Sequence, residues 1–334
     1  VSDPQTRLPL SILDLAFVGR GQPVGEALAQ SVELAQHAEA TGRFERIWYA
    51  EHHNMPAIAS SATAVLIAHV AARTERIRLG AGGVMLPNHA PLIIAEQFGT
   101  LAELHPGRID LGLGRAPGTD QVTMRALRRD PGASDEFPSD IKELQGYLAG
   151  ESVIPTVEAH PGAGTHVPLY ILGSSLYGAQ LAAALGLPYA FASHFAPDAL
   201  LQAMQVYRER FAPSAQLAEP YAIAALNVVA AQDAQSAQDL ARQVLAARAR
   251  NLAERVPGLA GRIDEFTDDD LLASPVGEQA RHMLTYTAVG DGEQVAAYLR
   301  AFRERCGADE LMITNPAPGL AQRHTVLDVL AGIG

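Results

Sequence analysis

The chain has 334 residues, 48% of them hydrophobic, enough to bury a sizeable core as one large α/β barrel or as two ordinary domains. Its formal net charge of −12, from 25 basic against 37 acidic side chains, argues against a nucleic-acid or anionic-membrane surface while leaving room for a local basic pocket. A single cysteine, Cys306, excludes an internal disulfide and any cysteine cluster for zinc or iron–sulfur, and with no basic-then-apolar export pattern in residues 1–7 it fits a reducing cytoplasm.

Apolar periodicity predicts a strand at residues 10–18, a helix at 24–40 stopped by Gly42, and a second strand at 46–50. A helix at 61–72, a glycine-containing strand at 77–86 and a helix at 91–104 with proline in its first turn come next. The fourth strand is 108–114. Helices at 140–149 and 178–185 flank a strand that starts at Tyr170, and strands follow at 189–192 and 222–230. Helices at 237–254 and 293–305 precede a last strand at 310–314. Residues 159–197 lack Asp, Glu, Lys and Arg, but prolines, glycines and a changing period mark them as core rather than a membrane span.

Eight strands alternating with helices through short turns predict parallel βα units closed into a single (β/α)8 TIM barrel spanning 1–334. Residues 257–281, with the cluster Asp268-Asp269-Asp270, read as an insertion or lid over one barrel end, or as a solvated loop. A doubly wound fold would use Gly112-x-Gly114-x-x-x-Gly118 as a dinucleotide turn, yet Pro117 and the polar stretch beyond it open no clean helix, and no acidic strand end follows at a suitable distance.

Four strand ends carry candidate chemistry. The run 108–118 stops on Gly112, Gly114 and Gly118 and delivers Arg115 beside permissive backbone, which suits an anion or, more plainly, an arginine paired with a carboxylate. At residues 170–177 a strand meets Gly173, Ser174 and Ser175 before a helix; the free amides and dipole of a helix start favour phosphate, whereas ordinary serine capping is the plainer alternative. Residues 49–54 follow the second strand with Glu51, His52 and His53, where a barrel places catalytic groups; a histidine there is a base, or simply bonds backbone or Glu51. Adjacent histidines on extended chain face opposite ways, so the pair is poorly arranged to chelate one metal, and no metal is expected. Gly82 and Gly83, near the end of the third strand, allow either a bulge or a non-proline cis bond.

The segments 51–53, 79–87, 106–115 and 172–177 stand in the order found in bacterial luciferase-like flavin monooxygenases, and the chain resembles the single-chain, non-luminescent type over nearly its whole length. That resemblance implies a (β/α)8 barrel and reduced FMN, with a deazaflavin as the alternative. It also implies a small organic substrate oxygenated through a flavin hydroperoxide, a separate flavin reductase as transient partner, and a homodimer. By the same resemblance His52 matches the active-site histidine. Gly82 and Gly83 match a cis peptide beneath the ring, and Arg115, Gly173, Ser174, Ser175 and Tyr177 match the flavin-binding segments, with Arg115, Ser174 and Ser175 at the phosphate. Ser174 stands where the luciferases carry a carboxylate and Gly114 where they carry a reactive cysteine, which argues against light emission. A deazaflavin-dependent dehydrogenase and a flavin-binding carrier without turnover are the rival readings.

Overall fold

The computed structural model describes residues 7–116 and 119–333. The strands are β1 (Leu10–Asp14), β2 (Arg46–Tyr49), β3 (Arg78–Met85), β4 (Ile109–Gly114), β5 (Leu169–Gly173), β6 (Tyr189–Phe191), β7 (Ala222–Ala230), β8 (Thr287–Gly290) and β9 (Glu310–Thr314). Between and after them run α1 (Val24–Thr41), α2 (Thr63–Ala71), α3 (Pro91–Leu104), α4 (Gln121–Ala126), α5 (Phe137–Ala149), α6 (Leu176–Leu185) and α7 (Leu200–Arg210). The C-terminal third adds α8 (Ala234–Ala253), α9 (Asp268–Leu272), α10 (Pro275–Met283), α11 (Gly292–Cys306) and α12 (Leu320–Ala331).

Every strand pairing is parallel, from β1 round to β7, and β9 closes the ring between β7 and β1. The fold is therefore a (β/α)8 barrel, whose closure leaves its eight ring strands no free edge. The extra strand, β8, pairs only with the far half of β7; Asn227 pairs with both Thr287 and Thr314, so β8 lies along the edge of β7 opposite β9. The eight strands expected from periodicity are the ring strands. The four-residue β8, set just before the Asp291 cap of α11, is an addition to them.

Alternation along the strands sorts the core into two layers. In β2, Ile47 and Tyr49 join the apolar layer between barrel and helices, while Trp48 packs inside the barrel with Leu13, Tyr170, Ile223 and Met312. Below them, at the N-terminal end of the strands, sits a buried charged layer. Arg46 Nη1 is 2.8 Å from Asp110 and its Nε is 3.0 Å from Glu310; Trp48 Nε1 and the Tyr221 hydroxyl donate to the same two carboxylates, and Arg78 also pairs with Asp110. Burial works against the Arg46 charge, but Glu310 and Asp110 outweigh it and hold the guanidinium above its ordinary range. Among the described residues no helix is long and apolar enough to cross a membrane.

Candidate active site at the barrel mouth

The exits of β2 and β3 are tied together by one carboxylate. Glu51 is buried and accepts from the Met85 amide at 3.0 Å, from His53 Nε2 at 2.7 Å and from His89 Nε2 at 2.9 Å. Burial alone would raise its pKa; the bonds from His53 and His89 prevail and lower it to about 2, so the group is ionised across the physiological range. The Glu51 bond in turn raises His53. Donor atoms of Glu51, His53 and His89 lie within 4.8 Å of one another, close enough to share a metal ion, although both imidazoles already face the carboxylate. The sequence reading weighed His52 and His53 as a metal pair and located no further ligand; it missed His89, whose signal was its place just past the end of β3.

His52 turns away from that cluster. Its amide donates to Ser60 O at 3.1 Å, and its Nδ1 is buried without a partner. Burial, with the charge of Arg255, holds it below the ordinary histidine range, so the ring is neutral at pH 7. His194, in the loop that leaves β6, is 8% exposed and also has an unpartnered Nδ1. Burial first, then Arg248 and His52, push it down to about 3. Asn227 of β7 fixes this loop, donating to His194 O at 2.8 Å while accepting from Thr314 Oγ1 at 2.8 Å. Sequence reasoning did not single out His194; its position three residues beyond a strand end was the available signal.

The exits of β4 and β5 meet at Arg115 and the start of α6. The Arg115 guanidinium carbon lies 4.3 Å from the centroid of the Tyr177 ring, Nε donates to Ser134 O at 3.1 Å, and the contact to the exposed Asp135 is loose at 3.4 Å. Ser175 is the N-cap of α6, yet its hydroxyl makes no capping bond, and the Ser174 hydroxyl has no partner among the described residues. Ordinary capping therefore does not account for the two serines. Arg115, Tyr177, Ser174 and Ser175 are brought together here, with Gly173 ending β5 beside them, whereas Pro117 and Gly118 lie outside the described residues.

The Gly82–Gly83 peptide is cis, and the β3–β4 register shifts between Ala81 and Val84, so this segment is both bulged and cis. Side chains have no room in it. A Cβ on Gly82 would come within 2.8 Å of Leu13 and Trp48, and one on Gly83 within 2.7 Å of Gly112 O. Residues 257–281 fold in part as α9 and α10, packing Ile263, Leu271, Val276 and Ala280 against Ala249 and Ala253 of α8. The acidic cluster is local structure: Asp268 pairs with Arg250 at 2.6 Å and Asp270 closes a capping box with Thr267.

With this geometry established, likeness to known proteins becomes informative. The sequence profile of the luciferase-like monooxygenases matches residues 8–310. The chain belongs to that family. A luciferase-like monooxygenase of Escherichia coli K12 is 47% identical over 310 residues, covering 92% of this chain and 91% of that protein. The N-acetyl-S-alkylcysteine monooxygenase of Bacillus subtilis is 40% identical over 194 residues, 55% of this chain and 56% of its own. Among solved structures, apo-MsnO8 superposes with a TM-score of 0.84 at 32% identity, covering 97% of this chain and 98% of its own. This luciferase-like monooxygenase thus has the barrel that its sequence periodicity predicts.

Proposed function

We propose that this monooxygenase binds reduced FMN across the barrel mouth and uses it with O2 to oxygenate a small organic substrate, with His52 moving the proton. The observation that carries the reading is the anion site at the β4 and β5 exits, where a cation stacked on Tyr177 stands beside an uncapped helix start. A phosphate suits it: Arg115 supplies charge, Ser174 and Ser175 supply hydroxyls, Gly173 leaves the turn unobstructed, and the first amides of α6 point outward. The ring suits the bare backbone of Gly82 and Gly83, which cannot carry side chains.

Bound in reduced form, the flavin supplies the two electrons with which one oxygen atom of O2 enters the substrate and the other leaves as water. The chain's own work is binding, orientation and proton handling. A neutral His52 with an open Nδ1 accepts a proton at that atom at pH 7, and Glu51 anchors the backbone that presents it. The lid reading of residues 257–281 belongs here too, since Arg20, in the loop beyond β1, pairs with Asp264 of that segment. A separate reductase delivers the reduced cofactor, and the small-substrate reading is supported by the N-acetyl-S-alkylcysteine named for the Bacillus relative.

The test is anaerobic titration with reduced FMN, followed by mixing with oxygenated buffer under absorbance. Tight binding in the parent and a loss of about 1.5–3 kcal/mol in Arg115→Ala are expected. Equal affinity in the two proteins would put the phosphate elsewhere, and binding of a reduced deazaflavin in place of FMN would replace oxygenation by hydride exchange.

A further inference from the structure

Three arginines at the 257–281 segment are matched by acids. Arg250 Nε lies 2.6 Å from Asp268, Arg262 Nε lies 3.0 Å from Glu265, and Arg20 pairs with Asp264. Two arginines, one within α8 and one just beyond its end, have no ion-pair partner among the described residues. Arg248, on α8, is partly buried and makes no side-chain hydrogen bond or ion pair among the described residues. Arg255 lies in the turn just past the end of α8, is exposed, and makes its one side-chain hydrogen bond to Met55 Sδ at 3.4 Å. Its neighbour Glu254 accepts instead from the Gly261 amide at 3.3 Å.

Both cations look onto the polar groups at the β2 and β6 exits. Met55 stands three residues beyond His52, and the field of Arg248 reaches His194. There two imidazole nitrogens, His52 Nδ1 and His194 Nδ1, are buried with nothing to bond. Burial and the like charge of Arg255 both work against the Arg248 cation. Folding gains nothing from such a set: the partly buried Arg248 cation and the open buried nitrogens carry a desolvation cost that no contact within the chain repays. A bound anion removes that cost, because it pairs with both guanidinium groups and leaves an oxygen for an imidazole N–H.

We propose that Arg248 and Arg255, with His194 beside them, form a subsite that recognises an organic carboxylate carried by the substrate. The assignment rests on reading the barrel mouth as the oxygenation site, and it names the substrate class for that site. The anion is the substrate's because the cofactor phosphate has its own place at Arg115 and α6, at the exits of β4 and β5.

The test is calorimetric titration at fixed ionic strength with benzoate against benzamide and hexanoate against hexanamide, using the FMN-bound protein, Arg248→Gln and Arg248→Lys. Arg248 makes no bond that either variant breaks. At least one acid should bind about tenfold or more tightly than its amide. That advantage should vanish in Arg248→Gln, persist in large part in Arg248→Lys, and leave FMN affinity unchanged. Parity of acid and amide in the parent, or an undiminished advantage in Arg248→Gln, overturns the subsite. A fall in FMN affinity in Arg248→Gln also overturns it, by assigning these arginines to the cofactor. If FMN does not bind at all, the same titrations on the flavin-free chain still read the acid preference, so failure of the functional reading and failure of the subsite remain separate results.

Discussion

The Arg46 layer at the N-terminal end of the barrel and the groups at its mouth treat polar atoms in opposite ways. At the N-terminal end, Arg46 and Arg78 face Asp110 and Glu310, both carboxylates are fully buried, and tyrosine and tryptophan donors fill the remaining positions. At the mouth, His52 Nδ1 and His194 Nδ1 are buried without partners, the serines before α6 cap nothing, and Arg248 has no counter-charge among the described residues. A satisfied network holds a fold, whereas an unsatisfied one is finished by a ligand. The Glu51 cluster is the exception at the mouth, being saturated because it positions its neighbours.

Removing the central open group should cost the most function. His52→Ala is expected to lower turnover, measured as oxygenated product, by about 10²–10⁴ while FMN still binds. Since burial holds His52 below 6.5, the acid limb of the parent's activity should fall below that pH. Unchanged turnover would remove His52 from the chemistry. Removing the central closed group should cost stability instead. Arg46→Ala leaves buried Glu310 with no cation and Asp110 with Arg78 alone, and chemical denaturation should show a loss of about 3–5 kcal/mol. FMN affinity should be unchanged in the folded protein; a mutant that keeps its stability but loses flavin would erase the distinction between the two ends.

How much of this was legible in the sequence follows from range. The ring strands were readable because runs such as residues 109–114 carry their own apolar pattern and glycine stops. The helix at residues 91–104 was bounded by its proline. α7 was passed over although Leu200, Ala203, Met204 and Tyr207 repeat at helical spacing, because Leu201 and Val206 blur the stripe among otherwise polar positions. α12, which completes the last βα unit, was likewise left unread. At the mouth, Arg115 and the two serines stand at strand ends that local pattern marks, and their convergence needed only the barrel. The charged layer was not legible: Arg46 and Glu310 are 264 positions apart, and a charge at the first residue of a strand looks like a boundary. His194 and Arg248 escaped for the same reason, since what distinguishes them is the partner that each lacks.

The saturated cluster at the mouth makes a prediction of intermediate size. The folded pKa of Glu51, about 2, lies below its ordinary 4.5, so the carboxylate contributes its full share above about pH 4.5 and loses it as pH falls toward 2. His53 has the opposite sign, with its raised pKa adding stability below 6.5 that disappears as pH rises through the folded value. Stabilisation by the pair is therefore greatest between about pH 4.5 and 6.5. The Glu51 share is on the order of 3 kcal/mol. Denaturation midpoints measured against pH should lose most of their acid slope in Glu51→Gln; a slope equal to the parent's would show that the histidines do not hold this carboxylate ionised.

The smallest expected effect separates the two uses of serine most sharply. A serine N-cap ordinarily contributes about 0.5–2 kcal/mol through its bond to the first helical amides. Ser175 makes no such bond, so Ser175→Ala should leave the denaturation midpoint within about 0.5 kcal/mol of the parent. The same substitution should weaken FMN by about 0.5–1.5 kcal/mol, the net worth of one hydrogen bond. Lost stability with unchanged FMN affinity would make Ser175 a plain cap. The phosphate would then rest on Arg115, Ser174 and the backbone alone, and the start of α6 would resemble the saturated end of the barrel after all.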